Sequence, residues 1–289
     1  MKKPIIVGID GSPESFRAAD WAGHEGARRH LPVHLLNVWH GPVSNVQYSP
    51  DPEGLREWQE GRMQEAGQQL IERHPGLAVT TEQISGTPVK ELLDAGATSE
   101  MLVLGSRGLG TVAGFFHGSV GLHVVAHCDR PVVIVRGEEP AEGTSEPAVV
   151  LGLDLGRPSD ALISFAFEEA AARKAGLRVM HVWGERKLYL YTSPALDERM
   201  LTDIQSKQGH ELAQTLAPWR AKFPEVELDE SIAEGQVAQR MIEAGQDRQC
   251  GLLVVGRRRQ RLPAAVHVGP VAHAVLHHVA CPVAVVSHD

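Results

Sequence analysis

Gly105, Gly108, Gly118 and Ser119 stand in the order Gly, two residues, Gly, nine residues, Gly-Ser within GSRGLGTVAGFFHGSV, directly after the apolar run Met101 to Leu104. A glycine straight off a strand has no Cβ to hold a ribose or phosphate away from the backbone, and it tolerates the positive φ that a cradle needs. Gly118 and Ser119 are then expected to open a helix with Val120 and Val124 on one face. The first turn of a helix has N–H groups without intrahelical partners and a positive dipole end, so its chemistry is the binding of phosphate oxygens. Ser119 adds a hydroxyl donor, and Asp10, at the end of the first apolar run, adds a carboxylate. The run is not the dinucleotide fingerprint, because it follows a fourth strand and lacks the G-x-G-x-x-G order. No Gly-Lys-Ser/Thr follows, so it is not a Walker loop either.

Other chemistries find less support. His273, His277 and His278 include the i, i+4 spacing that puts two imidazoles on one helix face, yet no carboxylate lies in that helix to complete a metal site. His117, beside Gly118, could donate to a phosphate or could simply pack. No G-x-S-x-G elbow marks a hydrolytic serine. Phosphoryl transfer calls for a positioned base and several metal carboxylates, of which only Asp10 is identifiable, so fast turnover is not expected; a binding module is the leading expectation, with a slow ATPase or a scaffold that binds no nucleotide as the alternatives.

The elements that position these residues come from an internal repeat. PIIVGIDGSPESFRAADWA (4–22) parallels AVVLGLDLGRPSDALISFA (148–166), with Asp10 matched to Asp154 at an offset of 144. VHLLNVW (33–39) matches LRVMHVW (177–183) at the same offset. LVLGSRG (102–108) aligns with LVVGRRR (253–259), and RPVVIV (130–135) with CPVAVV (281–286), at an offset of 151. The extra seven residues fall between the second and fourth strands, where surface connections tolerate insertions. The intervening Gly137–Pro147 is rich in Gly, Pro, Glu and Ser and lacks apolar periodicity, as a linker would. The expected domains are therefore residues 1–137 and 148–289, with the linker over 138–147.

Short continuous apolar runs such as Ile5 to Ile9 and Val132 to Val135 suit parallel strands covered on both faces. Between them, Ala18, Trp21 and Ala22, and in the second copy Leu162, Phe165 and Ala166, fall at helical i, i+3, i+4 spacing. Val89, Leu92 and Leu93 do the same before Gly96, which is expected to stop its helix. Residues 54–73, with Leu55, Trp58, Met63, Leu70 and Ile71, read as an amphipathic crossover helix. Trp39 and Trp183 follow equivalent strands and are expected in the core or as a crevice wall. Each copy is thus an α/β fold, a doubly wound parallel sheet of five strands with helices on both faces, and ligands of such sheets sit beyond the carboxyl ends of the strands.

Composition narrows the partners. With 43% hydrophobic and 22% charged residues, the 289-residue chain reads as globular. Its formal net charge of −8 leaves no positive surplus for a phosphate backbone, so nucleic acid is not expected, while a small anion can still be held by backbone groups. The three cysteines form neither an even framework nor a pair with zinc-ligand spacing, which fits a reducing compartment. The run after Pro4 is too short for a signal peptide or membrane span, so the expected location is the cytoplasm, with no membrane partner.

VGIDGS (7–12), joined to GSRG at Gly105 and GSV at Gly118, resembles the ATP-binding branch of the universal stress proteins, and the resemblance covers both halves. It implies two tandem Rossmann-like domains, similar to the adenine nucleotide alpha hydrolases, with strand order 3-2-1-4-5. It implies ATP with magnesium in the first half, the adenine against the backbone of Val38 and the phosphates on Gly118, Ser119 and Val120. Asp10 would face the ribose or the phosphate-bound metal, and Gly105, Arg107 and Gly108 would form the intervening loop, with Arg107 either solvated or on a phosphate. It also implies pairing of the halves about a pseudo-twofold axis through Val132–Val135 and Val283–Val286, a homodimer of chains, and a regulatory role through an unidentified protein partner. The second half retains Asp154, Val182, Gly256 and Gly269, but Arg259 replaces the second glycine and Pro270 the serine, removing two phosphate donors. That half is either structural or a receptor for another anion through Arg257, Arg258, Arg259 and Arg261.

Overall fold

A computed structural model describes residues 2–39, 52–106, 119–136, 147–184, 198–259 and 268–289. The chain divides into two compact units. The first holds β1 (Ile5–Gly8), α1 (Pro13–Arg29), β2 (Val33–Trp39), α2 (Pro52–Arg73), β3 (Val79–Ser85), α3 (Pro88–Thr98), β4 (Met101–Gly105), α4 (Ser119–His127) and β5 (Val132–Val135). The second repeats the order with β6 (Ala148–Gly152), α5 (Asp160–Arg173), β7 (Leu177–Trp183), α6 (Glu198–Lys222), β8 (Leu228–Glu234), α7 (Val237–Gln246), β9 (Cys250–Arg258), α8 (Pro270–His278) and β10 (Val283–His288).

Strands in the first unit run parallel in the order β3-β2-β1-β4-β5, and those in the second in the order β8-β7-β6-β9-β10. Both are the expected 3-2-1-4-5. Ile5, Val7, Leu35, Met101, Leu102 and Val103 have no exposed surface, as central strands covered on both faces require. The helices meet them through small residues: Ala18 and Ala22 of α1 and Ala166 and Ala170 of α5 are all fully buried.

Equivalent caps bound the first helix of each unit. The Ser12 hydroxyl accepts the Ser15 N–H at 3.3 Å, and Pro13 follows at the first helical position; Ser159 caps α5 by accepting from Leu162. Both helices end on a non-glycine residue in the left-handed region, His30 (φ 53°) and Lys174 (φ 52°), whose N–H groups close the last turn.

Two expectations about helices are corrected. Gly96 does not stop α3, which runs on to Thr98; it is buried inside the helix, and a Cβ there would lie 3.0 Å from the Cys128 Sγ. The missing side chain makes room for a neighbour instead of ending the helix. In α2, only Met63 and Leu70 of the five apolar residues are buried, while Leu55, Trp58 and Ile71 are exposed. Met63 and Leu70 are seven apart and share a face, whereas Ile71 is turned about 100° from Leu70. The Arg62 guanidinium covers the ring of Trp58 at 5.7 Å and that of Phe16 at 5.1 Å.

Candidate functional site

In the first unit β1 is the shortest central strand, and its last pairings are Gly8 with Leu36 of β2 and Gly8 with Leu104 of β4. β2 continues past Leu36 to Trp39 and β4 to Gly105, so their ends flank a notch at the carboxyl edge. This is the point where the strand order reverses, the usual seat of a ligand in such sheets.

Asp10 lies at this edge and is exposed. Its Oδ1 accepts from the Ser12 N–H at 3.0 Å and from the Ser12 hydroxyl at 2.5 Å, so the residue that caps α1 also orients the carboxylate. Below it, the buried Asn37 of β2 donates to the Ile9 carbonyl at 2.7 Å and accepts from Gln83 at 3.0 Å. Sequence reasoning missed Asn37. The signal available was an amide within the apolar run Leu35 to Trp39, matched at the offset of 144 by His181, whose Nδ1 lies 2.9 Å from the Leu153 carbonyl in the second unit. Val38, half-buried near the end of β2, pairs with Ile84. Trp39 and Trp183 are half-buried at the strand ends, and their carbonyls accept from Gly86 and Gly235.

Gly105 has a structural reason of its own. A Cβ at this position would fall 2.3 Å from the Glu14 carbonyl oxygen, in the first turn of α1. The glycine therefore lets α1 press against β4, which holds the Asp10–Ser12 turn at the strand ends. Gly105→Ala is expected to destabilise the first unit by about 1–3 kcal/mol through overpacking against backbone. A urea titration reads this as a lower midpoint, and an unchanged midpoint would mean that α1 can retreat freely.

α4 begins at Ser119, and Val120 in its first turn is half-buried, with Val124 buried beneath. Arg107, Gly108, His117 and Gly118 lie outside the described residues. The structure thus places Asp10, Val38, Gly105, Ser119 and Val120 on the strand ends and the helix start expected of them.

The second unit treats the same edge differently. β4 and β5 stop pairing at Gly105 and Val135, but β9 and β10 continue through Arg257 with Ser287 and Arg258 with His288. Arg258 pairs with Asp154 at 2.9 Å, and Arg259 donates to the Ser287 hydroxyl at 3.2 Å. The His288 ring lies so close to Gly256 that a Cβ there would be 2.6 Å from its Nε2. α8 opens at Pro270 after Gly269, whose φ is +85°. The arginine run is thus engaged with groups of its own unit, and Arg261 lies outside the described residues.

One hydrogen bond occurs within each unit with its donor and acceptor on opposite strands. Arg136 donates to the Ser106 hydroxyl at 3.2 Å after β5 and β4. At the offset of 151, Arg257 donates to Ser287 at 2.9 Å, so serine and arginine have traded strands. All four residues are buried, and burial lowers the Arg136 pKa from its ordinary value.

The rings of His273 and His277 on α8 lie 4.3 Å apart and are tilted by 42°, but among the described residues no three His, Cys, Asp or Glu groups are placed to hold a metal ion. Nor is any described helix long and apolar enough to cross a membrane.

The Universal stress protein family matches the chain twice, over residues 1–136 and 147–287. A universal stress protein of Mycobacterium tuberculosis strain H37Rv is 30% identical over 302 residues, covering 99% of each chain. One from Mycolicibacterium smegmatis is 30% identical over 291 residues, covering 98% of this chain and 96% of its own. Among solved structures, a universal stress protein from Archaeoglobus fulgidus superposes with a TM-score of 0.70 at 17% identity, covering 99% of this chain and 98% of that one. At that identity it speaks for the fold alone.

Proposed function

Since the chain belongs to the universal stress protein family, we propose that its first repeat binds ATP with magnesium and that the protein is a cytoplasmic stress-response or dormancy regulator acting through nucleotide-dependent conformation or partner binding. The contrast between the two helix starts carries this reading. α4 opens at Ser119, a residue type with both an N–H and a hydroxyl to offer a phosphate, whereas α8 opens at Pro270, which has neither.

The residues of the first repeat fit such a ligand. The backbone of Val38, where β2 outruns β1, would hold the adenine, and Gly118, Ser119 and Val120 would hold the phosphates. Asp10, already oriented by Ser12, would face the ribose or the phosphate-bound magnesium. On the same reading Gly105, Arg107 and Gly108 would form the intervening loop. The magnesium supplies charge neutralisation on the phosphates, and the protein supplies donors and shape. A homodimer and an unidentified regulatory protein partner belong to the same reading.

Mass spectrometry of nucleotide released from denatured protein, followed by calorimetry with magnesium and ATP, tests it. The expected result is one adenine nucleotide per chain, with Asp10→Ala weakening binding about tenfold, as the loss of one charge-assisted contact would. No affinity for adenine nucleotides would leave a scaffold, and equal occupancy of both repeats would remove the assigned asymmetry. Phosphate release well above background, abolished in Asp10→Ala, would replace binding with slow hydrolysis.

A further inference from the structure

We propose that Cys250 and Cys281 form a dithiol–disulfide modification site in the second repeat, oxidised by hydroperoxides. They are 31 positions apart in sequence, yet their sulfur atoms lie 3.4 Å apart. Cys250 opens β9, and Cys281 lies two residues before β10, whose Val283 is level with Leu253. Parallel pairing across the α8 crossover therefore brings the two thiols together at the amino ends of adjacent strands of the second unit.

A disulfide needs its sulfurs about 2.05 Å apart, so closure asks for a movement of little more than an ångström. The strand pairing beside Cys250 is irregular. β9 shifts register against β6 between Ala148, paired with Cys250, and Val149, paired with Leu252, which leaves Gly251 as an extra residue beside Cys250. Cys250 is 6% exposed while Cys281 is partly exposed, so an oxidant meets Cys281 first.

The chemistry balances with the hydroperoxide as oxidant. Cys281 attacks the terminal peroxide oxygen, the O–O bond breaks, and the alcohol or water leaves with the other oxygen, giving a sulfenic acid. The Cys250 sulfur then attacks the sulfenic sulfur, the S–S bond forms, the S–O bond breaks, and water departs. Two thiols lose two electrons and two protons, and the peroxide takes them up. The hydrogen bond to Cys250 and burial push the Cys281 pKa up, so thiolate is scarce at neutral pH and the reaction quickens as pH rises. Oxidation in a reducing compartment would then be occasional and reversible.

The test uses the full-length protein, treated with hydrogen peroxide at several pH values and then alkylated with N-ethylmaleimide after denaturation. The expected product takes up one maleimide, on Cys128, where the reduced protein takes up three. Its tryptic digest contains a non-reduced peptide joining Cys250 to Cys281, and dithiothreitol restores all three sites. Closing residues 251–280 into a loop should raise the melting temperature of the second unit by roughly 5–10 °C. Three alkylatable thiols after treatment, terminal sulfinic acid without a disulfide, or a bond involving Cys128 or another chain would overturn the assignment. These readouts need no variant. Cys281→Ser, at the more exposed position, should in addition leave Cys250 and Cys128 both alkylatable.

Discussion

Ser119→Pro is expected to abolish measurable ATP binding while leaving the melting temperature within a few degrees of the parent. The substitution removes the first N–H of α4 and the serine hydroxyl together. Hydrogen bonds to a charged group are each worth about 1.5–3 kcal/mol, so the loss amounts to roughly two to four orders of magnitude in Kd. The helix itself should survive, because proline is well suited to a first helical position, and the second repeat shows the outcome: α8 opens at Pro270 and still spans nine residues. The glycine before the new proline repeats the Gly269–Pro270 pair, and Gly269 adopts a positive φ there. Calorimetry with ATP and thermal unfolding of the same sample separate the two effects. Unchanged affinity would mean that the phosphates are held elsewhere.

The second large effect concerns stability. Arg173→Met should destabilise the second unit by about 3–5 kcal/mol. Arg173 is 5% exposed and forms an ion pair one turn along α5 with Glu169, which has no exposed surface. Removing the guanidinium leaves a carboxylate in a dry helix face without its nearest counter-charge. Changing both residues, Glu169→Leu with Arg173→Met, should recover much of the loss, since apolar residues can replace a buried pair at little cost. The first repeat offers a comparison. Glu25, equivalent to Glu169, is also fully buried, but it meets Arg28 at 3.9 Å, while Arg29, equivalent to Arg173, reaches Glu100 at 3.4 Å. Urea unfolding read on the second unit provides the measurement. A change below about 1 kcal/mol, the size of an exposed pair, would mean that water reaches Glu169.

How far the sequence reveals such features depends on how local their physics is. Strands buried on both faces leave continuous apolar runs, so Ile5 to Ile9 and Val132 to Val135 were readable, and their alternation with helical spacing gave the doubly wound fold. The residues at the strand ends followed from that order. Glycine was ambiguous, because a missing Cβ serves close packing as well as turning: Gly96 lies within α3, and Gly105 accommodates α1. Asn37 was hidden because its bond to Ile9 joins two strands separated by a whole helix. Cys250 and Cys281 were hidden for the same reason, since nothing in their spacing announces that two crossovers end side by side.

The traded serine and arginine limit how the two halves of this gene could exchange parts. A hybrid that set β4 beside β10 would face Ser106 with Ser287 and leave no guanidinium to donate, while β9 beside β5 would crowd Arg257 against Arg136, two buried cations. Recombination within the duplicated coding sequence would thus keep this buried bond only when both partner strands travel together, a lock that would slow homogenisation of the repeats.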